Sequence, residues 1–252
     1  MINRKLKTVN YIYLCGMIIH YAKYIISSPD YTKCPAPDKP EYAFIGRSNV
    51  GKSSLINMLC NSEKLAKTSS SPGKTQMINH FEITSSPSSK EKAVERAKPE
   101  KTAAAKKTGS AYTPPAANAG KQSWFIVDLP GYGFAKVSQS SRRRWEQMIE
   151  NYLRKRDNLA MVFVLIDSRH SPQKIDLEFM EQLKKWEVPF SIIFTKTDKE
   201  AQRIVSKNVK DFFTAMKKTW QFLPRFFVTS ALKKTGRDKI LALIDEMNGE
   251  AA

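Results

Sequence analysis

The chain has 252 residues, enough for one globular domain with a buried core and some additional segments. Lysine and arginine outnumber aspartate and glutamate by 42 to 24, and the resulting net charge of +18 favours a polyanionic partner such as nucleic acid. No stretch is apolar enough to span a bilayer, and three cysteines without CxxC spacing indicate neither a disulfide framework nor a zinc site, so we expect a cytoplasmic protein.

Residues 1–19 loosely resemble a signal peptide, since a basic start precedes an apolar stretch. Asn10 interrupts that stretch and no small-residue cleavage site follows it, which argues against export. A second explanation is that native synthesis starts at Met17. We treat residues 1–22 as an N-terminal extension with a leading strand and residues 23–252 as the main domain.

A strand, a loop and a helix follow one another near the start of the main domain. Residues 42–45 are a short apolar run typical of a buried strand, and residues 53–59 show helical spacing. Between them, Gly46–Ser53 reads GRSNVGKS and matches the phosphate-binding pattern G-x-x-x-x-G-K-[ST] completely. In such a loop, backbone N–H groups and the helix N-terminus point at phosphate oxygens. We expect Lys52 to reach the β- and γ-phosphates of a nucleotide and Ser53 to bind Mg²⁺.

A polar loop, SPGKTQ at residues 71–76, precedes the next predicted strand. Its threonine, Thr75, can bind Mg²⁺ only while a γ-phosphate is present, which would make the site a switch. A plain loop threonine is the alternative.

Residues 79–84 and 123–127 have the patterns of two further strands. The segment between them, residues 85–122, is rich in Ser, Pro, Ala and Lys, and its eight basic residues face only three glutamates. Such a composition cannot bury enough apolar surface to offset its ordering entropy. We therefore predict a disordered basic insert at a hairpin tip, where an insertion disturbs the core least.

Helices and strands alternate through the rest of the chain. The predicted helices cover residues 141–156, 172–186, 201–219 and 236–248, and the predicted strands cover residues 160–166, 189–194 and 225–229. Together with the P-loop pattern at Gly46–Ser53, this order predicts an α/β fold of the P-loop NTPase type, and the family resemblance described below implies its Ras-like GTPase form. We expect a mostly parallel six-stranded sheet with one antiparallel strand and helices on both faces.

Two short motifs follow predicted strands and point to the nucleotide. In Asp128–Gly131, DLPG, the aspartate can hold Mg²⁺ through water and Gly131 can offer its N–H to the γ-phosphate. Thr195–Asp198, TKTD, fits the guanine-selecting pattern [NT]-K-x-D, although alone it could be a capped helix start. The Asp198 carboxylate can accept hydrogen bonds from guanine N1–H and its N2 amine, which adenine cannot donate. Thr229–Ala231 follows the last strand and can offer backbone N–H groups to guanine O6.

The chain closely resembles the EngB (YihA/YsxC) family of ribosome-biogenesis GTPases in the segments GRSNVGKSSLIN, LAKTSSSPGKTQMINHF, DLPGYGFAKVS, DSRHSPQKIDLE and TKTDK. The resemblance runs from about Met17 to the C-terminus and is interrupted by residues 85–122. It implies that residues 23–252 are an EngB-type GTPase domain. It also implies a bacterial protein that assists late assembly of the large ribosomal subunit, with a link to cell division and septation.

The resemblance further implies the residues that contact GTP or GDP. They are Gly46, Arg47, Ser48, Asn49, Val50, Gly51, Lys52, Ser53, Gly73, Lys74, Thr75, Gln76, Met77, Asp128, Leu129, Pro130, Gly131, Thr195, Lys196, Thr197, Asp198, Thr229, Ser230 and Ala231. The implied Mg²⁺ ligands are Ser53 and Thr75, with Asp128 acting through water.

Tyr132 follows Gly131, where many GTPases carry a glutamine that orients the attacking water. We expect slow intrinsic hydrolysis that needs a component from outside, with Lys52, Thr75, Gly131 and Asn49 as the catalytic candidates. Asn49 resembles the residue that ligates K⁺ in cation-activated relatives, where the ion replaces an arginine finger. The alternative is that Asn49 only stabilises the loop.

Two predicted helices carry clusters of positive charge. The first cluster is Arg142, Arg143, Arg144, Arg154, Lys155 and Arg156, and the second is Lys207, Lys210, Lys217 and Lys218. Such clusters give salt-sensitive, shape-based RNA binding, although a solvated helix face is the alternative for each. The resemblance implies the large ribosomal subunit, and together with these clusters it leads us to expect the precursor of that subunit and its rRNA as partners, with no membrane insertion. The absence of a coiled-coil pattern favours a monomer.

Two other functions are also compatible with the nucleotide motifs. The first is a GTP-dependent scaffold of the division machinery without a direct ribosomal role. The second is an ATP-dependent kinase built on the same P-loop, which the TKTD motif disfavours.

Overall fold

A computed structural model describes residues 16–67, 77–88, 120–133 and 139–250. Its strands are β1 (Met17–Ser28), β2 (Glu41–Gly46), β3 (Ile78–Pro87), β4 (Gln122–Asp128), β5 (Leu159–Asp167), β6 (Phe190–Thr195) and β7 (Phe226–Val228). Its helices are α1 (Lys52–Leu59), α2 (Gln139–Lys155), α3 (Lys174–Lys185), α4 (Gln202–Met216) and α5 (Arg237–Glu250), with a short 3-10 helix at Tyr31–Lys33. None of these described helices is long and apolar enough to cross a membrane.

The strands form one sheet in the order β1-β3-β4-β2-β5-β6-β7. Strand β3 is antiparallel to both of its neighbours, whereas β4, β2, β5, β6 and β7 pair in parallel. The predicted α/β P-loop fold with one antiparallel strand is thereby confirmed. Because parallel strands end at the same edge of the sheet, the segments that follow β2, β4, β6 and β7 lie at one edge, where such folds bind ligands.

Two apolar layers cover the faces of the sheet, and β2 shows how one strand serves both. Tyr42 and Phe44 pack in the layer that contains α1 and α5, whereas Ala43 and Ile45 pack in the layer formed with α2, α3 and α4. Every residue of β2 is buried, because the strand lies between β4 and β5 with helices on either side. This position explains the continuous apolar run that precedes the P-loop.

The sheet has seven strands in the described residues rather than the six predicted. Strand β1 corresponds to the leading strand expected within residues 1–22, which the count of six leaves out; it pairs with β3 at the edge of the sheet and reaches Ser28. Its pairing shifts register between Ile19 and Tyr21 and again between Tyr24 and Ile26. These irregularities interrupt the alternation of buried and exposed side chains, so the sequence does not reveal the full strand.

The ends of the predicted insert, residues 85–122, belong to the hairpin itself. Strand β3 continues through Pro87, and Ser85 pairs with Gln122 at the start of β4. The Ser85 hydroxyl accepts a hydrogen bond from Trp124 Nε1 at 2.9 Å, which satisfies a buried polar group inside the sheet. Residues 89–119 lie outside the described residues, so disorder there stays a prediction.

Candidate functional site

The loop between β2 and α1 follows a path that depends on glycine. Gly51 has a φ of +102°, in the left-handed region, and Asn49 has a φ of +61°. A Cβ atom on Gly46 would lie 2.8 Å from the carbonyl oxygen of Leu165, so the chain leaves β2 in contact with β5. Helix α1 begins directly after Gly51. The loop therefore has the strand–loop–helix arrangement that a phosphate-binding loop requires.

Lys52 and Asp128 meet at the edge of the sheet. The ammonium group of Lys52, the first residue of α1, contacts the carboxylate of Asp128, the last residue of β4, and both side chains are largely buried. Burial lowers the pKa of Lys52 to about 7, whereas an adjacent anion favours its charged form. Ser53 follows in α1 and is half-buried. A buried ammonium can bind phosphate oxygens, and a buried carboxylate beside it can hold a hydrated divalent cation. The two groups together therefore fit a phosphate bound with such a cation.

Gly131 brings the DLPG segment against the P-loop. A Cβ atom at this position would lie 2.6 Å from the carbonyl oxygen of Gly46 and 3.5 Å from the backbone nitrogen of Ser48. Only glycine allows this approach, because the neighbouring atoms belong to the backbone and cannot move aside. Leu129 and Pro130 are buried beneath it. The structure therefore brings together the two segments predicted to contact the γ-phosphate.

Tyr132, where many GTPases carry glutamine, turns into the protein interior. Its side chain is 8% exposed, and its ring stacks on Phe179 with a centroid distance of 4.3 Å. Its hydroxyl donates to Asp176 Oδ1 at 2.8 Å. Burial raises the pKa of Tyr132 well above its ordinary value, so the hydroxyl is a neutral donor. The side chain of Tyr132 therefore contacts α3 and is not placed to orient a water molecule at the phosphates.

Asp176 connects three parts of this region. Its carboxylate is fully buried and accepts hydrogen bonds from Arg47 Nε at 3.1 Å to each oxygen, in addition to the Tyr132 hydroxyl. Arg47 and Tyr132 also form a parallel backbone bridge. Burial raises the pKa of Asp176, and the Arg47 guanidinium and the Tyr132 hydroxyl oppose that shift. The P-loop, the DLPG segment and α3 are therefore joined through one carboxylate.

Asp176 is not among the residues predicted for the site, although it lies in the segment DSRHSPQKIDLE. Asp176 shares a helix face with Met180 and Leu183, and all three side chains are buried. An acidic residue on an apolar helix face signals a buried, partnered carboxylate. Its partners, Arg47 and Tyr132, are distant in sequence and could not be identified from spacing.

The TKTD segment after β6 is bonded to the P-loop. Thr195 Oγ1 donates to the carbonyl oxygen of Val50 at 2.6 Å. Lys196, with a φ of +60°, donates from Nζ to the carbonyl oxygen of Asn49 at 2.5 Å and pairs with Asp167 at 3.0 Å. The stem of Lys196 is therefore fixed between the two motifs, as expected of a residue that lies along a base.

Asp167, at the end of β5, is a second residue of this region that is not among those predicted from the sequence. Its carboxylate accepts hydrogen bonds from Arg169 at 2.7 Å and from Lys196 at 3.0 Å. Burial by itself raises the pKa of Asp167, but these hydrogen bonds outweigh it and lower the pKa to about 2. Asp167 is therefore an ionised group that positions Lys196.

Asp198 is oriented by the segment after β7. Its side chain is 5% exposed, and Ser230 Oγ donates to Asp198 Oδ1 at 2.6 Å, which lowers the pKa of Asp198. The neighbouring Thr197 donates from its N–H and its hydroxyl to the carbonyl oxygen of Thr229, at 3.2 and 3.0 Å. The loops after β6 and β7 are thus locked together, and the Asp198 carboxylate stays ionised and able to accept further hydrogen bonds.

A cavity of about 580 Å³ lies beside these loops and α1. Its volume is within the range of roughly 300–1,000 Å³ that is typical of small-molecule sites. The predicted nucleotide-binding residues that line it are Gly51, Thr195, Lys196, Asp198, Thr229 and Ala231. The predicted base-binding residues and the end of the P-loop thus share one cavity.

Gly73, Lys74, Thr75 and Gln76 lie outside the described residues, whereas Met77 immediately precedes β3 and is exposed. The role of Thr75 as a switch and metal ligand therefore stays a prediction.

The first basic cluster includes one residue that is not at the surface. The Arg156 guanidinium is buried and donates to Glu41 at 2.6 and 3.0 Å and to the carbonyl oxygen of Pro35 at 2.5 Å. Burial raises the pKa of Glu41, but hydrogen bonds from His80 and Arg156 outweigh it and lower the pKa to about 2. Assignment of Arg156 to a surface cluster is therefore wrong, because a buried carboxylate at the start of β2 requires it. The other five members are exposed.

Comparison with known proteins identifies relatives over most of the chain. A family model described as 50S ribosome-binding GTPase matches residues 41–196. The chain is 46% identical to a probable GTP-binding protein EngB of Flavobacterium psychrophilum, over 92% of this chain and 96% of that protein. It is 44% identical to the protein of the same description from Porphyromonas gingivalis, over 94% of this chain and 99% of that protein.

Solved structures show the same fold at lower identity. A crystal structure of a probable GTP-binding protein engB has a TM-score of 0.51 and 20% identity, covering 83% of this chain and 99% of that chain. Era in complex with MgGDPNP and nucleotides 1506–1542 of 16S ribosomal RNA has a TM-score of 0.56 and 20% identity, covering 82% of this chain and 56% of that chain. With relatives at up to 46% identity over nearly full length, the chain belongs to the EngB family of GTP-binding proteins and is a GTPase.

Proposed function

We propose that this GTPase is a molecular switch that assists late assembly of the large ribosomal subunit in the cytoplasm. The observation that carries the proposal is the match to a family model whose description names binding to the 50S ribosome. The net charge of +18 supports a polyanionic partner. In the proposed cycle, the GTP-bound form docks on the precursor particle and hydrolysis releases it.

Mg²⁺ is the proposed metal partner of the nucleotide. Ser53 and Thr75 are its proposed protein ligands, and Asp128 acts through water. The contact between Lys52 and Asp128 supports this assignment, because it concentrates a cation for phosphate and a carboxylate for a hydrated metal at one point. When bound, Mg²⁺ would neutralise the charge that develops on the phosphate oxygens.

The chain lacks a side chain at position 132 that could orient the attacking water. Tyr132 donates to Asp176 and stacks on Phe179, which directs it away from the phosphates. Lys52 binds phosphate charge and the Gly131 N–H fixes the γ-phosphate, so binding and alignment come from the chain itself. We therefore expect slow intrinsic hydrolysis.

K⁺ is the proposed activator, with Asn49 as its ligand. Asn49 is exposed at the P-loop, and its backbone carbonyl rather than its side chain receives the hydrogen bond from Lys196. The side-chain amide oxygen is therefore available to a cation. The test compares hydrolysis rates in K⁺ and Na⁺ for the wild-type chain and for Asn49→Ala. A K⁺ advantage that the substitution removes supports the assignment, and equal wild-type rates in both salts contradict it.

Exposed cations on α2 and α4 are the proposed contacts to rRNA phosphates. Several cations of the two clusters form ion pairs with acidic neighbours: Arg142 with Glu146, Arg154 with Glu150 and Lys207 with Asp211. Other members are exposed without an ion pair to another described residue: Arg143, Arg144, Lys210, Lys217 and Lys218. Within the described residues they therefore have no ion pair to break when they bind a phosphate.

The deciding experiment is sedimentation of the protein with large ribosomal subunits, carried out once in the presence of a non-hydrolysable GTP analogue and once in the presence of GDP. The GTP-analogue state should bind, and binding should weaken steeply as salt rises. Arg143→Gln/Arg144→Gln should weaken binding and lower the salt dependence, by about one unit of log–log slope for each lost contact. Lys174→Gln/Lys185→Gln on α3 removes the same charge elsewhere and should leave binding unchanged. Salt-insensitive or nucleotide-independent binding contradicts the proposal.

A GTP-dependent scaffold of the division machinery is the alternative function. It predicts nucleotide-dependent association with division proteins and no co-sedimentation with ribosomal subunits. The proposed link of this family to cell division and septation would then be direct rather than a consequence of defective ribosome assembly.

A further inference from the structure

The cavity beside α1 contains a wall that the known motifs do not account for. Gly51 and Ser54, at the start of α1, line this cavity together with Asp198 and Ala231. Because the ribose joins the base to the phosphates, a nucleotide with its phosphates at Gly51 and its guanine at Asp198 would place its ribose in the same cavity. The unexplained wall comes from the end of α1 and the loop that follows it. Its members are Asn57, Met58, Asn61, Ser62 and Glu63.

Asn57 fixes the shape of this wall. Its side-chain nitrogen donates to the carbonyl oxygens of Glu63, at 3.2 Å, and Ala66, at 3.0 Å. Its side-chain oxygen accepts from the backbone N–H of Ala66 at 2.7 Å. Arg237 also caps the end of α1, donating to the carbonyl oxygens of Met58 and Leu59 at 3.1 and 2.9 Å. The backbone at Glu63 is therefore held in place before any ligand binds.

Among the described residues of this wall, Glu63 alone carries a carboxylate. Its side chain is exposed at the cavity, and no hydrogen bond or ion pair joins that carboxylate to another residue in the described parts of the chain. The Asn57 hydrogen bond engages its backbone and leaves the side chain available. An ionised carboxylate is an acceptor with two oxygens, whereas a ribose presents two adjacent hydroxyl donors. Hydrogen bonds of this kind to a charged acceptor are the stronger class.

We propose that Glu63 recognises the ribose of the bound nucleotide, accepting hydrogen bonds from its hydroxyl groups, so that the site selects ribonucleotides over deoxyribonucleotides. The inference rests on the proposed placement of GTP in this cavity. Asp198 would select the base and Glu63 the sugar, since both residues line the same cavity. Because Glu63 is in an exposed loop, substitution there should leave folding intact.

The test measures dissociation constants of GTP, 2′-deoxy-GTP and 3′-deoxy-GTP by competition, for the wild-type chain, Glu63→Ala and Glu63→Gln. The wild-type chain should bind GTP about tenfold more tightly than at least one deoxy analogue, as expected for a hydrogen bond to a charged group. Glu63→Ala should reduce this ratio to within about twofold, and Glu63→Gln should give an intermediate value. The ratio is the informative quantity, because removal of a negative charge near the phosphates affects all three nucleotides alike.

Two controls separate this inference from the proposed nucleotide site. Lys64→Ala changes the next residue of the loop, which does not line the cavity, and should leave the ratio at its wild-type value. Glu178→Gln removes the same charge on α3 and should do likewise. If GTP binds but the wild-type chain shows no preference for it, or Glu63→Ala retains the full preference, the ribose proposal is overturned. Failure of the wild-type chain to bind any guanine nucleotide would instead contradict the site itself.

Discussion

The base-binding end and the phosphate-binding end of the proposed nucleotide site are built differently. At the base end, Ser230 orients Asp198 and Asp167 orients Lys196, each through a direct side-chain hydrogen bond. At the phosphate end, Lys52 and Asp128 are in contact, but the side chain of Tyr132 points into the interior and bonds to Asp176. The base end thus presents its recognition groups to a ligand, whereas at the phosphate end the side chain of Tyr132 packs inside the protein.

This difference implies that GTP affinity and the rate of GTP hydrolysis depend on different groups. Groups already held by their neighbours lose little entropy when guanine binds, so recognition is preorganised in the chain. Alignment of a water molecule needs a further group, which position 132 does not supply. We infer that the chain binds GTP selectively on its own and hydrolyses it efficiently only with a component from outside.

Among the substitutions at the base end, Asp198→Asn should have the largest effect on nucleotide binding. The amide NH₂ of asparagine would face the N1–H and N2 amine of guanine, which are also donors. GTP affinity should therefore fall on the order of 10³-fold, and xanthine nucleotides should bind better than GTP. Competition binding of GTP, xanthosine triphosphate and ATP measures the change. Asp211→Asn in α4 is the control and should behave as wild type. An unchanged order of affinities would remove Asp198 from base recognition.

At the phosphate end, Gly131→Ala forces a Cβ atom to within 2.6 Å of the Gly46 carbonyl oxygen. We expect the segment to shift and single-turnover hydrolysis to fall about 10²-fold, comparable to the loss of one donor to a transition-state oxygen. GDP affinity should change far less, because GDP lacks the γ-phosphate.

Gly249→Ala is the matched control for that variant, because a Cβ atom there meets no atom within 4 Å. Gly249 lies in α5, so alanine should stabilise the protein by up to about 1 kcal/mol and leave hydrolysis unchanged. Equal hydrolysis by both variants would show that the close approach of Gly131 is unimportant.

Asp176→Asn tests the connection between the two segments of the phosphate end. The amide would place a donor against Arg47 or lose the bond to Tyr132, which should lower the free energy of unfolding by about 2 kcal/mol. Because Arg47 and Tyr132 would lose their common anchor, the hydrolysis rate should also fall, by about tenfold, with GDP affinity little changed. Urea unfolding and single-turnover kinetics measure the two effects. Glu178→Gln, on the same helix but exposed, should change neither; an unchanged rate in Asp176→Asn would limit its role to stability.

Asp167→Asn should have the smallest effect on binding, a reduction of GTP affinity by about fivefold, because Lys196 loses one of its two anchors. The variant also has a defined pH dependence. The pKa of Asp167 is lowered from 3.8 to about 2, so its ionised form stabilises the folded chain above pH 3.8, and this contribution is lost as the pH falls toward 2.

The wild-type chain should therefore exceed Asp167→Asn in free energy of unfolding by about 2 kcal/mol at neutral pH. The difference should shrink as the pH is lowered from about 4 toward 2. Urea unfolding at several pH values follows it, with the exposed Asp157→Asn as a control. A difference that does not depend on pH would contradict the ionic role of Asp167.

The sequence predicts the elements whose signals are local. Gly46–Ser53 and Thr195–Asp198 can be identified from spacing, because each functional group lies within a few residues of the strand that positions it. The parallel sheet then brings them to one edge, as the alternation of strands and helices predicts. The proposed guanine-selecting role of Asp198 follows from this local pattern and requires no knowledge of distant contacts.

The remaining features depend on contacts between distant parts of the chain. The burial of Asp176, the ion pair of Asp167 with Lys196 and the removal of Arg156 from the surface follow from tertiary packing. A sequence pattern shows that a residue is charged, but it does not identify the opposite charge with which that residue pairs in the folded chain. The sequence predicts strand β1 only in part, because its irregular pairing breaks the alternation of buried and exposed residues on which the prediction relies.

The most direct test of the separation between binding and turnover is one set of single-turnover GTP hydrolysis rates in Na⁺, in K⁺, and in K⁺ with large ribosomal subunits, alongside GTP affinity in each condition. We predict nearly constant affinity, with a hydrolysis rate that is slow in Na⁺ and rises at least tenfold when K⁺ or the subunit is present. A fast rate in Na⁺ alone, unchanged by either addition, would contradict the account.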